Sequence, residues 1–329
     1  MAFKYFLVVC LSYYLVVSNV NCERGDCATV TTGFGPMKYM KVGTGSTILV
    51  LLDGTLGDIV ADNFERIYND FDHSKYTIYQ VDLPGYGGSR TLVAPKKYSN
   101  RDFPPEFFER DADAVIQTMI ELNVEKYSVL GWGYGGTVAM FVASRAPDNV
   151  VKCVSWAAKP FSSKTLVAKE KQRLKVPVKD WLPEVLGKQT LSHSIENIEE
   201  AFKGLTEAWE SLLNSDNASP KQCLSKLSTP TLILYGKNDP YADSNLIQEI
   251  RNYAKNTAVI LFVTKKHALH KLDKFAPAVK DFLDSNDYKM GGDVVEIDCT
   301  DQDEREEEEK QKKREEQKKL EEQQAGSSK

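Results

Sequence analysis

The sequence predicts an α/β domain: a mostly parallel central sheet with helices on both faces and a helical cap inserted late in the chain. Two observations carry this. Between about Thr29 and Asp284, short apolar runs alternate with longer amphipathic ones, the pattern of strands buried on both faces and linked by helices. From about Ala158 to Lys226 the strand signal stops, and a polar, helical stretch with Trp181 and Trp209 is interrupted by Pro177 and Pro183. Lying between two strand runs, that stretch reads as a cap over the C-terminal edge of the sheet, where open α/β sheets bind ligands.

The strand runs are 47–52, 76–81, 127–130, 150–156, 231–235 and 258–263, each rich in Val, Ile, Leu or Tyr. Helices are expected at 106–122, 135–144, 244–254 and 272–283, with Asp243, Ser244 and Asp273 placed to cap them. At 329 residues, with 42% apolar and 27% charged residues, the chain has room for one large core and a sub-domain. Its net charge of −5 excludes an extended basic groove for nucleic acid.

Lys4 precedes the short apolar run Phe6–Val17, and small residues follow at Ser18 and Cys22. This is the layout of a secretory signal peptide over residues 1–22. An uncleaved signal anchor is the alternative; a mitochondrial presequence would need the arginines that this segment lacks. No later stretch is long and apolar enough to cross a bilayer, so removal of the signal leaves no membrane span. The expected location is outside the cell or in the secretory lumen, where Cys27 and Cys299, near the two ends of the core, are candidates for a disulfide. Asn217-Ala218-Ser219 is the only glycosylation sequon, weakened by the following Pro220.

From Asp301 to Gln324 almost every residue is charged or Gln, with Glu306/Lys310 and Glu315/Lys319 among the i,i+4 pairs. With Leu320 as its sole apolar residue, it cannot build a coiled-coil seam. Two readings of residues 300–329 stand: a solvated, partly helical or disordered tail, or a segment that docks a protein partner.

The chemistry concentrates at Gly131-Trp132-Gly133-Tyr134-Gly135, which follows an apolar strand and opens a helix. That is the setting of the G-x-S-x-G nucleophile elbow, with Gly133 standing in the serine slot. A dinucleotide-binding loop is the competing reading of so many glycines, but it belongs in the first βα unit and needs an acidic residue after the next strand. Here the motif lies several strands in, and the next strand runs into Trp156-Ala157-Ala158. Downstream, Asp239 follows one strand run, and His267 and His270 follow the last. Singly these would be a turn residue and surface histidines. In the order elbow, Asp, His they match a hydrolase acid and base, with His267 preferred to His270.

Over about Ala28 to Leu283 the sequence resembles the α/β hydrolases around valacyclovir hydrolase. The resemblance is carried by Gly85-Tyr86-Gly87-Gly88-Ser89-Arg90, by the run Asp102–Ala112, by Gly131-Trp132 and by Lys266-His267 with Leu269-His270. It implies an amino-acid ester hydrolase without cofactor or metal, with Asp239 as acid and His267 as base. It also implies serine at position 133 and, at 134, an acidic residue holding the substrate amino group. This chain departs at both, with Gly133 and Tyr134. It departs again at Asp53-Gly54-Thr55, where an oxyanion-hole N–H is expected from Gly54 or Thr55 and relatives carry Pro-Gly. A carboxylate there either opposes the developing negative charge or merely caps the turn.

Without a hydroxyl or thiol at the elbow no acyl-enzyme forms. Loss of the nucleophile in such a triad costs on the order of 10⁶ in turnover. The expected organisation is a signal segment (1–22), core (28–157), cap (158–226), core (227–285) and tail (300–329). The expected function is that of a secreted, catalytically degenerate hydrolase that binds a small molecule between cap and core, near Trp132 and Tyr134, or a protein partner. The alternative is a weak hydrolase in which His267 and Asp239 activate water directly.

Overall fold

The computed structural model describes residues 24–93, 97–98, 101–181, 186–239, 245–264, 266–308 and 311. The expected signal segment, the caps Asp243 and Ser244 and most of the charged tail lie outside them.

A nine-stranded sheet organises the chain, in the order β1-β2-β4-β3-β7-β8-β9-β10-β11. β1 (Asp26–Thr32) and β2 (Gly35–Val42) form an antiparallel hairpin, and β2 also runs antiparallel to β4 (Tyr76–Val81). From β4 through β3 (Thr47–Leu52), β7 (Tyr127–Trp132), β8 (Val150–Trp156), β9 (Thr231–Gly236), β10 (Thr257–Val263) and β11 (Val295–Asp298) every pairing is parallel. A separate two-stranded ladder joins β5 (Leu92–Val93) to β6 (Lys97–Tyr98). The strands expected from apolar runs are all present; β1, β2 and β11 alternate with polar residues and were not expected.

The two faces carry separate cores because strand side chains alternate with a period of two. On β3, Val50 and Leu52 face one core, and Leu49 and Leu51 the other. On the first face α2 (Phe107–Glu121) packs beside α3 (Tyr134–Arg145). The opposite core takes in α1 (Glu65–Asp70) and α8 (Phe275–Asp284). Asp273 does not cap α8, which begins after Lys274 without a side-chain cap. Its carboxylate instead receives Arg66 Nη2 at 2.7 Å, a charge-assisted bond stronger than an amide N–H would give.

Between β8 and β9 the chain leaves the sheet for a helical excursion. Ser163 caps α4 (Lys164–Arg173) by accepting Leu166 N–H, and Ser194 caps α5 (Ile195–Asn214) by accepting Asn197 N–H. The apolar stripe Ile198, Ala201, Phe202, Leu205, Trp209 and Leu212 turns one face of α5 inward. α6 (Ala218–Leu224) returns to the core against α3, and α7 (Leu246–Tyr253) follows β9.

Two expectations fail here. Cys299 is a free thiol, 1% exposed, while Cys27 is disulfide-bonded with its partner outside the described residues. Cys27 lies on β1 and Cys299 just after β11, the two opposite edges of the sheet. Eight strand spacings put these edges roughly 30–40 Å apart, far beyond the reach of a disulfide. Asn217 cannot carry a glycan in this fold. Its side chain is buried, accepting Ser162 N–H at 2.6 Å and donating to Ser162 O at 3.0 Å.

Residues 300–308, the start of the predicted tail, form a helix laid against the loop after β10. Asp303 accepts from Thr264 Oγ1 at 2.8 Å and pairs with Lys266, which also reaches Glu306. Gln302 accepts Asp273 N–H and donates to Lys271 O. No helix among the described residues is long and apolar enough to cross a membrane.

Candidate active site

β7 ends at Trp132, and α3 begins at Tyr134, so the whole reversal falls on Gly133. Its φ of +56° and ψ of −116° lie where side chains are strained and glycine is not. Gly133 N–H donates to Trp156 O at 2.9 Å, which fixes the turn to the end of β8. Gly135 is needed for a different reason: a Cβ there would lie 2.3 Å from Asp53 O, so the helix approaches β3 only as glycine.

Asp239 follows β9, and His267 follows β10, and the fold brings them together across the adjacent strand ends. His267 Nδ1 lies 2.7 Å from Asp239 Oδ2, with the carboxylate 1% exposed and the imidazole 26% exposed. That leaves His267 Nε2 facing the elbow. A Cβ built on Gly133 would have His267 Nε2 and Gly54 Cα as nearest neighbours, both at 3.8 Å. The space of a nucleophile side chain is thus present, open and next to the base. Trp132 supports the base loop through its indole N–H, which donates to His267 O at 3.3 Å.

His270 has no part in this arrangement. It is 1% exposed, its Nδ1 accepts the Trp156 indole N–H at 3.1 Å, and Phe64 and Trp132 pack edge-on against it. Burial pushes its pKa down to about 3, so it is a neutral core residue.

The three departures from a hydrolase site each have a structural outcome. Asp53 accepts Gly54 N–H at 2.6 Å and Asn63 Nδ2 at 3.0 Å, and it packs against Gly57. It therefore organises the turn, as a cap would, and takes the Gly54 N–H away from any oxyanion. The remaining donor expected from this turn is Thr55 N–H; Tyr134 N–H adds one more from the open first turn of α3. Tyr134 is held inward: its hydroxyl donates to Asp111 Oδ2 and accepts from Arg101 Nη2, both at 2.8 Å. Arg101 and Asp111 are a fully buried ion pair, and Phe103, Phe107 and Phe108 ring Tyr134. Burial raises the Tyr134 phenol far above its ordinary range, and it stays neutral. Sequence reading did not find this network, because Arg101, Asp111 and Tyr134 meet only in three dimensions; Arg101 directly precedes the Asp102–Ala112 run.

A cavity of about 300 Å³ lies between this floor and the excursion helices. Asp53, Thr55, Trp132, Gly133 and His267 line it below, and residues from α4 and α5 close it above. No serine or cysteine lines it among the described residues. No group of His, Cys, Asp and Glu among them could hold a metal ion.

Residues 47–193 match the family model of the alpha/beta hydrolase fold. With the parallel sheet, the elbow and the acid–base pair in their places, the chain has the α/β-hydrolase fold. It is similar to the serine hydrolase BPHL of Mus musculus, 29% identical over 259 residues that span 75% of this chain and 82% of that protein. The Homo sapiens BPHL is 28% identical over 258 residues, with the same coverage. Among solved structures, a bacterial membrane phospholipase A described as a virulence factor aligns with a TM-score of 0.61 at 20% identity, covering 85% of this chain and 93% of that one. The enol-lactonase from Burkholderia xenovorans LB400 aligns with a TM-score of 0.59 at 15% identity, covering 78% of this chain and all of that one. Likeness at this level carries the fold alone.

Proposed function

We propose that this α/β hydrolase is a catalytically degenerate member of its family, which keeps a ligand pocket under a helical cap and has given up acyl-enzyme chemistry. One observation carries the reading: Gly133 stands at the elbow, open toward a formed His267–Asp239 pair, with no serine or cysteine among the described residues of the pocket wall. The engaged Gly54 N–H and the inward-tied Tyr134 support it, since both remove contacts that ester hydrolysis would use. An apolar signal-like N-terminus and a disulfide-bonded Cys27 support a place in the secretory route.

A fluorophosphonate, which phosphonylates activated serines, tests the site by intact mass. The natural chain should take up no label, Gly133→Ser should take up one group, and Gly133→Ser with His267→Ala should take up none. Labelling of the natural chain, lost with His267→Ala, would overturn the reading.

A second reading is favoured by the open space beside His267 Nε2. Water seated where a serine oxygen would lie is within reach of the base, and general-base hydrolysis needs no covalent intermediate. It predicts slow turnover of a short acyl ester or an amino-acid ester by the natural chain, abolished by His267→Ala and untouched by Tyr134→Phe.

A further inference from the structure

Every charge in the cavity wall is answered from within the protein. Among the described residues, the carboxylates and cations lining it are Asp53, Lys159, Glu170 and Arg173. Asp53 accepts from Gly54 N–H and Asn63 Nδ2. Glu170 and Arg173 share α4 and form an ion pair. The Arg173 guanidinium also lies 4.3 Å from the Phe202 ring centroid and 5.0 Å from that of Trp181. Lys159, which follows β8, is engaged by the protein as well, with the Glu170 and Asp239 carboxylates drawing on its ammonium. Asp239 itself is closed on His267.

Two carboxylates thus face two cations in the wall, and neither sign is in excess. Tyr134 adds no charge, its hydroxyl being shared between Arg101 and Asp111. Leu166, Leu186, Leu205 and Trp209 give the same cavity an apolar surface. A charged ligand entering here gives up its water and must then break an internal pair or stay uncompensated, and both are costly. A neutral polar head loses far less on leaving water.

We propose that the pocket selects an uncharged ligand: a neutral polar head, such as a primary amide, on an aromatic or aliphatic body. It turns away anions and cations of the same shape. The Glu170–Arg173 pair sets this choice, because closed it presents no net charge, and opened from either side it leaves one. This rests on the ligand-binding reading above and adds the charge class of the ligand.

Three probes of one shape test it at about pH 7.5, where the acid and the amine are both ionised: 4-phenylbutyramide, 4-phenylbutyrate and 4-phenylbutylamine. Binding is read by titration calorimetry and by quenching of tryptophan fluorescence, since Trp132 and Trp209 line the cavity. The amide should bind the natural chain about tenfold more tightly than either charged probe. Glu170→Gln leaves the Arg173 charge unanswered, and the acid should gain about tenfold relative to the amide. Arg173→Met leaves Glu170 unanswered, and the amine should gain in the same measure. Gains in opposite directions cannot come from a collapsed pocket, and either variant suffices if the other fails to fold. Acid or amine binding the natural chain as tightly as the amide, or an unchanged preference in the folded variants, would overturn the charge-class proposal and leave the ligand-binding reading standing. Binding of none of the three at millimolar concentration would overturn both.

Discussion

Gly133 occupies backbone angles that a serine nucleophile would have to be forced into. Such strain costs on the order of 1–3 kcal/mol and persists only where function holds it in place. Gly133→Ser should therefore fold with stability reduced by about 1–2 kcal/mol, read as a lower denaturant midpoint at unchanged slope. A more stable Gly133→Ser would mean that the turn is not held in this conformation. Arg101 makes a sharper case. Asp111 is wholly buried, and the guanidinium is its principal partner. Arg101→Met should cost about 3–5 kcal/mol, because it strands a buried charge. A loss below 1 kcal/mol would show that the pair is not closed in solution.

At the scale of elements, the acid and base sit at the ends of β9 and β10, and the chain beyond them tightens that edge. β11 adds a parallel strand to β10, and the helix at 300–308 grips the His267 loop through Thr264, Lys266 and Lys271. Asp303→Ala should remove two of those bonds and cost about 1 kcal/mol. Amide exchange should then quicken at residues 266–272 while β3 and β7 stay protected. Unchanged exchange in the loop would mean that the helix merely rests there. The excursion acts differently: its helix α4 supplies Glu170 and Arg173 to the cavity wall.

For the whole molecule, pH dependence follows from buried histidines. In the unfolded chain a histidine takes a proton near pH 6.5. In the folded chain burial delays this to about 3 for His270 and about 4 for His193. The unfolded state binds more protons in that window, so their contribution is complete above pH 6.5 and is lost as pH falls, by about 1 kcal/mol per unit for each group. Lys271 and His267 are the titratable neighbours of His270, and both oppose its protonation. Asp58 and Asp82 act in the opposite sense: burial raises both, so they add stability on acidification and soften the loss. Denaturation midpoints measured from pH 7.5 to 5 should fall in the natural chain and fall less in His270→Gln. An equal slope in both would remove His270 as the cause.

The sequence by itself determined the alternating strands and helices, the vacant elbow at Gly133 and the order of Asp239 and His267. These are written locally: apolar runs, glycines at a reversal, and polar residues just after strands. It did not place β1, β2 or β11, whose polar positions interrupt the continuous apolar runs by which the other strands are read. It set Cys27 against Cys299 because both lie near chain ends, when the sheet holds them at opposite edges. It offered Asn217 to a glycan when the side chain was already spent on Ser162. Only the tertiary structure decided that Tyr134 turns inward to Arg101 and Asp111, that Asp53 consumes the Gly54 N–H, and that Lys159 and Arg173 share one cavity with His267. Asp53 and Gly54 are neighbours, but which way that carboxylate turns depends on Asn63 and the packing of the loop. The Tyr134 network joins residues far apart in the chain, and no local pattern specifies which distant partner a buried polar group will find.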